Sequence, residues 1–169
     1  ITFKGDKTVE RSWPLFAVNK SLTLKDGVVI DGMNNIGTSG GGYGAAVRVN
    51  EGCTLVLDGV TIRNCSNARG SVYSNAGGAT LTITNCLFEG NSATAGGAFY
   101  GYGTANGACK ATITDTAFVG NSSTGNGGAI FFNGSKRDQS IVNCSFTDNT
   151  AATNGGAIYV TAAGKLTVE

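Results

Sequence analysis

Short stretches in which apolar and polar residues alternate recur along the whole chain. Clear examples are Thr80–Thr84, Ala111–Thr114 and Ser140–Val142. Alternation with a period of two is typical of β-strands that bury one face, whereas a helix repeats its apolar positions every three to four residues. The stretches consist mainly of Thr, Val, Ile, Phe and Tyr, which favour strands. The pattern therefore predicts a chain made of many short strands.

A longer pattern groups these strands into units. The phrase F-x-x-N, followed by G-G-A, occurs three times, and its phenylalanines are 30 and 28 residues apart. An alternating stretch precedes each phrase and an aromatic or aliphatic stretch follows each G-G-A, so a unit holds about three strands. The residues of the three phrases are Phe88, Asn91, Gly96, Gly97, Ala98, Phe118, Asn121, Gly127, Gly128, Ala129, Phe146, Asn149, Gly155, Gly156 and Ala157.

Weaker copies of the unit extend the pattern upstream, where Leu55–Leu57 and Ile62–Cys65 occupy the same slots. Strand-built repeats of this length predict an all-β fold, a right-handed parallel β-helix (solenoid) of about five to six three-strand coils. We expect residues 1–20 to form an N-terminal cap or lead-in segment. Residues 21–169 should form the β-helix, which we expect to continue beyond the C-terminus in the native protein.

In a parallel β-helix, equivalent side chains of successive coils stack in columns. Two interior columns are expected, one of Leu57, Ile83, Ile113 and Ile141 and one of Ile62, Phe88, Phe118 and Phe146. Asn91, Asn121 and Asn149 should stand at a bend, where asparagine tolerates a left-handed backbone and its amide can bond to the next coil. The paired glycines should provide positive φ or room for close backbone approach at the next corner.

The combination of F-x-x-N with G-G-A-[ILV] resembles the repeat signature of the polymorphic outer membrane protein family, whose passenger domains are surface-exposed β-helices. The resemblance covers residues 80–160 well and residues 22–79 through degenerate units. It implies a cell-surface location and, as for several members, adhesion to host cells. No catalytic residues come with it.

The composition narrows the classes of function. Charged residues are 14% of the chain, against roughly 25% in ordinary domains, yet 41% of the residues are apolar, which argues against disorder. The net charge is +1, the basic residues are scattered and there is no histidine, so nucleic acid is not an expected partner. Apolar runs are only a few residues long, and we expect no membrane insertion by this segment.

Four of the five cysteines fall into interior slots, and no C-x-x-C pair suited to a zinc site is present in the sequence. Cys53 and Cys109 share one slot, and Cys86 and Cys144 share another, with each pair two coils apart. That separation is roughly 9.6 Å, beyond the Cα reach of a disulfide. We therefore interpret these residues as small buried hydrophobes, and we predict neither a metal site nor a cofactor.

Two other functions compete with a structural one. Many parallel β-helices are polysaccharide lyases or hydrolases with clustered carboxylates, but Asp58, Glu89, Asp115 and Asp148 make no evident pair on one face. The nearest candidate cluster is Asp26, Asp31 and Asp58, and turn aspartates are usually structural. Ice binding is a weaker alternative, suggested by the stacked Thr82, Thr84, Thr112 and Thr114. No catalytic or cofactor-binding residue is predicted.

The sequence thus favours an extracellular or cell-surface structural and adhesive solenoid that is not an enzyme. Its expected partners are further β-helix coils, of the same polypeptide or of neighbouring subunits, and a ligand on a host or cell surface. The strand-like Leu166–Val168 at the end of the chain is the basis for expecting further coils.

Overall fold

The computed structural model describes residues 1–5, 14–33, 45–75, 77–103, 107, 109–134, 138–161 and 164–169. In these ranges the regular structure consists of short strands, without a helix. The strands are β1 Thr2–Lys4, β2 Phe16–Val18, β3 Ser21–Leu24, β4 Val29–Asp31, β5 Val47–Val49, β6 Thr54–Asp58, β7 Thr61–Arg63, β8 Ser66–Asn67, β9 Val72–Ser74, β10 Thr80–Thr84, β11 Leu87–Glu89, β12 Ser92–Ala93, β13 Phe99–Tyr102, β14 Lys110–Thr114, β15 Ala117–Val119, β16 Ser122–Ser123, β17 Ile130–Asn133, β18 Gln139–Val142, β19 Ser145–Thr147, β20 Thr150–Ala151, β21 Ile158–Val160 and β22 Leu166–Val168.

Four parallel sheets run side by side along the protein. The first sheet has the order β1-β4-β7-β11-β15-β19, the second β3-β6-β10-β14-β18-β22 and the third β2-β5-β9-β13-β17-β21. A short fourth sheet, β8-β12-β16-β20, consists of two-residue strands. Neighbours within a sheet come from successive coils, so the chain is a parallel β-solenoid of about five turns with three main strands per coil. The predicted fold class is confirmed.

The first residues of the chain extend these sheets. Strand β1 pairs in parallel with β4, and β2 pairs with β5. Both strands lie inside the segment 1–20 that the sequence separates from the solenoid. Phe3 and Phe16 pack edge to face, with ring centroids 5.1 Å apart. The boundary near residue 20, and a capping role for the segment, stay predictions.

The interior contains the two columns that the alternating pattern predicts. Ile83 pairs with Leu57 on one side and with Ile113 on the other, and Ile113 pairs with Ile141. In the neighbouring column the rings of Phe88 and Phe118 stack with centroids 5.1 Å apart and planes 9° apart. Phe118 and Phe146 stack at 4.9 Å and 3°. Each buried Phe contributes roughly 1.5–3 kcal/mol through removal of apolar surface from water.

Three columns of left-handed residues turn the chain at the corners. Gly59, Asn85, Asp115 and Asn143, with φ between 50° and 67°, join the second sheet to the first. Asn64, Gly90, Gly120 and Asp148, with φ between 52° and 61°, follow the first sheet. Gly96, Gly127 and Gly155, with φ between 58° and 66°, precede the third. Only Gly, Asn and Asp occur in these columns because they tolerate this conformation best.

The second of these corners corrects one expectation from the sequence. The left-handed residues there are Gly90, Gly120 and Asp148, each immediately before the asparagine of F-x-x-N. The asparagines themselves are not left-handed. Since the preceding residue makes the turn, Asn91, Asn121 and Asn149 are free to direct their side chains into the corner.

Replacement of Phe118 by alanine tests the interior columns. Phe118 is fully buried between two stacked rings, and its truncation should lower the free energy of unfolding by roughly 3–5 kcal/mol. Thr112, on the outward side of β14, is the control, and Thr112→Ala should cost less than about 1 kcal/mol. Denaturant unfolding measures both. Equal losses would mean that the inward and outward faces are reversed.

Candidate functional site

The asparagines of the repeat form a hydrogen-bonded ladder along one corner. The Oδ1 of Asn121 accepts from both the backbone N–H (3.1 Å) and the Nδ2 (3.0 Å) of Asn91, one coil earlier. The Oδ1 of Asn149 accepts in the same way from Asn121, with both distances 3.0 Å. The Nδ2 of Asn121 also donates to the carbonyl of Phe88 at 3.0 Å. The Asn121 amide thus connects the coils on both sides of it, which requires an acceptor and two donors on one side chain.

The paired glycines leave room for the backbone of the next coil. The first glycine of each pair is left-handed, as described for the third corner. A Cβ on the second would overlap the carbonyl oxygen of the next coil's second glycine: Gly97 against Gly128, and Gly128 against Gly156. Ala98 and Ala129, which follow the pairs, are fully buried. The residues of G-G-A therefore hold successive coils at close distance.

The five cysteines form no disulfide with one another, and four of them are buried. The register places Thr116 between Cys86 and Cys144, and the Oγ1 of Thr116 accepts from the N–H of Cys86 at 3.3 Å. Burial raises the pKa of Cys65 to about 12, and it also raises the pKa values of Cys86 and Cys144. Neutral thiols in apolar surroundings are poor nucleophiles. The geometry agrees with the interpretation of these cysteines as small core residues.

Carboxylates at the first corner pair with asparagines of the next coil. The Nδ2 of Asn85 donates to Asp58 at 3.5 Å, and that of Asn143 donates to Asp115. On the first sheet, Glu89 stands in register between Arg63 and Val119. In the described ranges, strand register puts no second carboxylate directly opposite Asp58 or Glu89. Among the described residues, no group of three or more His, Cys, Asp or Glu is arranged to hold a metal ion.

Asp31, one of the candidate cluster, belongs to an ion pair on the first sheet. Its Oδ2 lies 3.0 Å from the Nε of Arg63, and its Oδ1 accepts from the N–H of Met33 (3.1 Å) and from Asn64 (3.3 Å). Burial acts to raise the pKa of Asp31, but the hydrogen bonds and the Arg63 charge outweigh it and lower the pKa. This carboxylate stays ionised and is suited to holding the corner. Asp26 stands instead at the first corner, against Gly59.

The outward side of the second sheet is a regular surface of hydroxyl and branched side chains, which we call the threonine face. Its central column runs through Thr23, Val56, Thr82, Thr112, Ser140 and Thr167, one residue from each strand. A second column contains Thr84 and Thr114, whose Oγ1 atoms are 3.2 Å apart. A third column, on the other side of the central one, contains Thr54 and Thr80. The side chains are short, and the β-branches of the Thr and Val residues restrict χ1, so they have few conformations to choose from.

The outward side of the third sheet carries an aromatic column that sequence reasoning missed. Tyr73, Tyr100, Phe131 and Tyr159 contact one another from coil to coil, with ring centroids 5.3–5.4 Å apart. The guanidinium of Arg69 lies 5.2 Å from the Tyr100 centroid and donates to its hydroxyl at 3.1 Å. The first three rings are buried, so the column is a second hydrophobic cluster outside the main core. After each G-G-A, inward and outward positions alternate with a period of two, which places these aromatic residues outward. This alternation could have predicted the column.

Replacement of Asn121 by alanine tests the ladder. The change removes the acceptor of the Asn91 N–H and the donor to Phe88 inside a buried corner, so unfolding should become easier by about 2–5 kcal/mol. Asn126→Ala is the matched control. Its Oδ1 accepts exposed side-chain hydrogen bonds only, and the loss should stay below about 1 kcal/mol. A comparable effect of both changes on the denaturation midpoint would contradict the ladder's role.

Thiol labelling tests the buried cysteines. Because Cys144 is only partly buried, it should react first with an aromatic disulfide reagent at mildly alkaline pH. Cys65, with its pKa near 12, should react only after unfolding. Mass spectrometry of digests taken over time identifies the labelled residue. Rapid labelling of Cys65 in the folded protein would show that its slot opens to solvent.

The repeat unit is similar to one that is known from other proteins. The family model of the Chlamydia polymorphic membrane protein repeat matches residues 85–102, 115–133 and 143–161. Each match contains one F-x-x-N and one G-G-A phrase and spans the first, fourth and third sheets of one coil. No curated protein and no solved structure matches the chain. The chain is a parallel β-solenoid that carries three repeats of the Chlamydia polymorphic membrane protein type, as its sequence motifs predict.

Proposed function

We propose that this chain is a structural and adhesive module of an extracellular or cell-surface protein, and that it is not an enzyme. The observation that carries the proposal is the three polymorphic membrane protein repeats, which follow one another as stacked coils. The repeat family and the solenoid fit a surface structural module. No helix in the described ranges is long and apolar enough to cross a membrane.

The threonine face is the surface that we assign to adhesion. It is broad, since it runs across all six strands of the second sheet, and its short side chains have little rotamer freedom to lose on binding. Hydroxyl groups donate and accept hydrogen bonds, while the adjacent methyl groups bury apolar area. Such a surface suits a flat or extended ligand on a cell surface, and a polysaccharide chain has matching hydroxyl chemistry.

The chemistry of the polar groups supports a role without catalysis. A glycosidase-type site needs two carboxylates facing each other across a substrate, about 5–9.5 Å apart. Here Asp58 and Asp115 receive hydrogen bonds from asparagines of the next coil, and Asp31 is paired with Arg63. The thiols of Cys65 and Cys86 have raised pKa values and lie in the interior. These groups serve the corners and the core.

Adhesion can be measured with beads coated with the protein. Wild-type beads should attach to cultured epithelial cells more than albumin-coated beads do. Thr112→Lys, in the centre of the threonine face, should reduce attachment roughly tenfold, because a long charged side chain would have to be desolvated within the contact.

The matched control for this experiment is Val119→Lys. Val119 is also outward and partly exposed, but it lies on the first sheet, so the same added charge should leave attachment unchanged. Wild-type attachment no greater than that of albumin would refute adhesion to these cells. Equal losses for the two variants would refute the assignment to the threonine face.

A further inference from the structure

A cavity of about 200 Å³ lies on the fourth sheet, and we call it the hydroxyl cavity. Three successive coils contribute to its wall. Two of its threonines are exposed, so the cavity is open to solvent, and none of the lining side chains is charged. The lining residues are Ser66, Asn67, Ser92, Ala93, Thr94 and Thr124.

Asn67 departs from the repeat at this cavity. Strand register aligns it with Ala93 and, one coil further, with Ser123 and Ala151. The equivalent position therefore carries a small side chain in the three following coils. Because those coils form the same strand without an amide there, the fold does not require asparagine at position 67.

Only one end of the Asn67 amide is used within the chain. Its Nδ2 donates to the Oγ of Ser71 at 3.2 Å. Its Oδ1 is buried and has no hydrogen-bond partner among the described residues, and the whole residue is 6% exposed. A buried acceptor without a donor costs free energy, and such groups are rare in folded proteins. The cavity that Asn67 lines is the space from which a donor can reach this oxygen.

The hydroxyl groups of the wall add further hydrogen-bonding capacity. The Oγ1 of Thr94 donates to the carbonyl of Ala68, so its oxygen is left as an acceptor. Ser66 and Ser92 are half-buried, and within the described ranges nothing is hydrogen-bonded to their hydroxyls. Each of these two hydroxyls can both donate and accept. The wall therefore offers two acceptors and two groups of mixed character.

This set of groups selects the chemistry of a ligand. A charged ligand would lose its hydration without meeting an opposite charge in the wall, which is unfavourable. The acceptors require a ligand that carries several donors. The hydroxyls of a sugar both donate and accept, and the volume of the cavity is close to that of one sugar residue.

We infer that the hydroxyl cavity binds one neutral sugar residue at the end of a glycan, with a sugar hydroxyl donating to the Oδ1 of Asn67. Ser66 and Ser92 exchange hydrogen bonds with further hydroxyls of the same sugar. This site is additional to the proposed function, because it lies on the fourth sheet and the threonine face lies on the second.

Saturation-transfer NMR of the whole chain tests the binding of sugars. The probes are glucose, galactose, mannose and N-acetylglucosamine, each as the methyl glycoside and as the free sugar, with acetate as a charged probe. At least one methyl glycoside should receive saturation from the protein, and acetate should receive none. Silence of all the sugars would overturn the inference, and binding of free sugars alone would overturn a glycan as their source.

Two serines of one column provide a matched pair of variants. Ser92 and Ser122 are in register and equally half-buried, but only Ser92 lines the cavity. Ser92→Ala should raise the Kd of the bound sugar roughly two- to tenfold, which corresponds to the loss of one hydrogen bond. Ser122→Ala should bind like the wild type. Equal effects of the two changes would overturn the assignment to this cavity.

Asn67→Ala tests the orphan acceptor. It should raise the Kd roughly tenfold, because the sugar loses the acceptor that no group of the chain uses. The unfolding midpoint is measured alongside, since the bond to Ser71 is also lost. A folded Asn67→Ala variant that binds the sugar as tightly as the wild type would contradict the role of Asn67.

Thr112→Lys separates the cavity from the threonine face. This variant should bind the sugar with unchanged affinity, because Thr112 lies on the second sheet. A loss of sugar binding in Thr112→Lys would overturn the assignment to the cavity. A wild-type chain that binds the sugar without attaching to cells would refute adhesion alone.

Discussion

Parallel backbone pairing between successive coils is the constraint on which the rest of this structure depends. Once β10 pairs with β6 and β14 in register, every residue lies about 4.8 Å from its equivalent in the next coil. A side chain must then be compatible with its own copy above and below. Flat aromatic rings, branched aliphatic groups and amides satisfy this condition, because each can contact an identical neighbour. Like charges do not, and this protein has few charged residues.

The corners satisfy the same constraint with different chemistry. A left-handed residue recurs at each corner because the chain must turn at the same place in every coil. At the first corner, Asn85 and Asn143 also bond along the axis through their side chains, to Asp58 and Asp115 of the preceding coil. Where the left-handed residue is Gly96 or Gly127, the backbone carbonyl of the residue three positions later occupies the space of a side chain. The first corner therefore has space for Gly, Asn or Asp, whereas the third corner has space for glycine alone.

The parts of this structure that recur could be predicted from the sequence, and the parts that occur once could not. The Phe88 and Ile83 columns follow from alternation and the 30-residue spacing between Phe88 and Phe118. Gln139 breaks its column: it is buried among aliphatic equivalents, with its amide bonded at 2.7 Å to both the N–H of Ala111 and the carbonyl of Cys109. Only the register shows which backbone groups need that amide. The outward aromatic cluster was not predicted, because interior columns were assigned only for the first and second sheets and the cluster lies on the third.

The separation of inside from outside determines what this architecture can be used for. Interior columns and corners establish the register, while the outward residues of the second sheet, such as Thr82 and Thr112, contribute little to it. Outward positions are therefore free to carry a binding surface without loss of fold. An interior column accepts only side chains that pack against their equivalents in the neighbouring coils, as Phe118 does against Phe88 and Phe146. The outward faces carry no such restriction, so their chemistry can change from coil to coil while the register is kept.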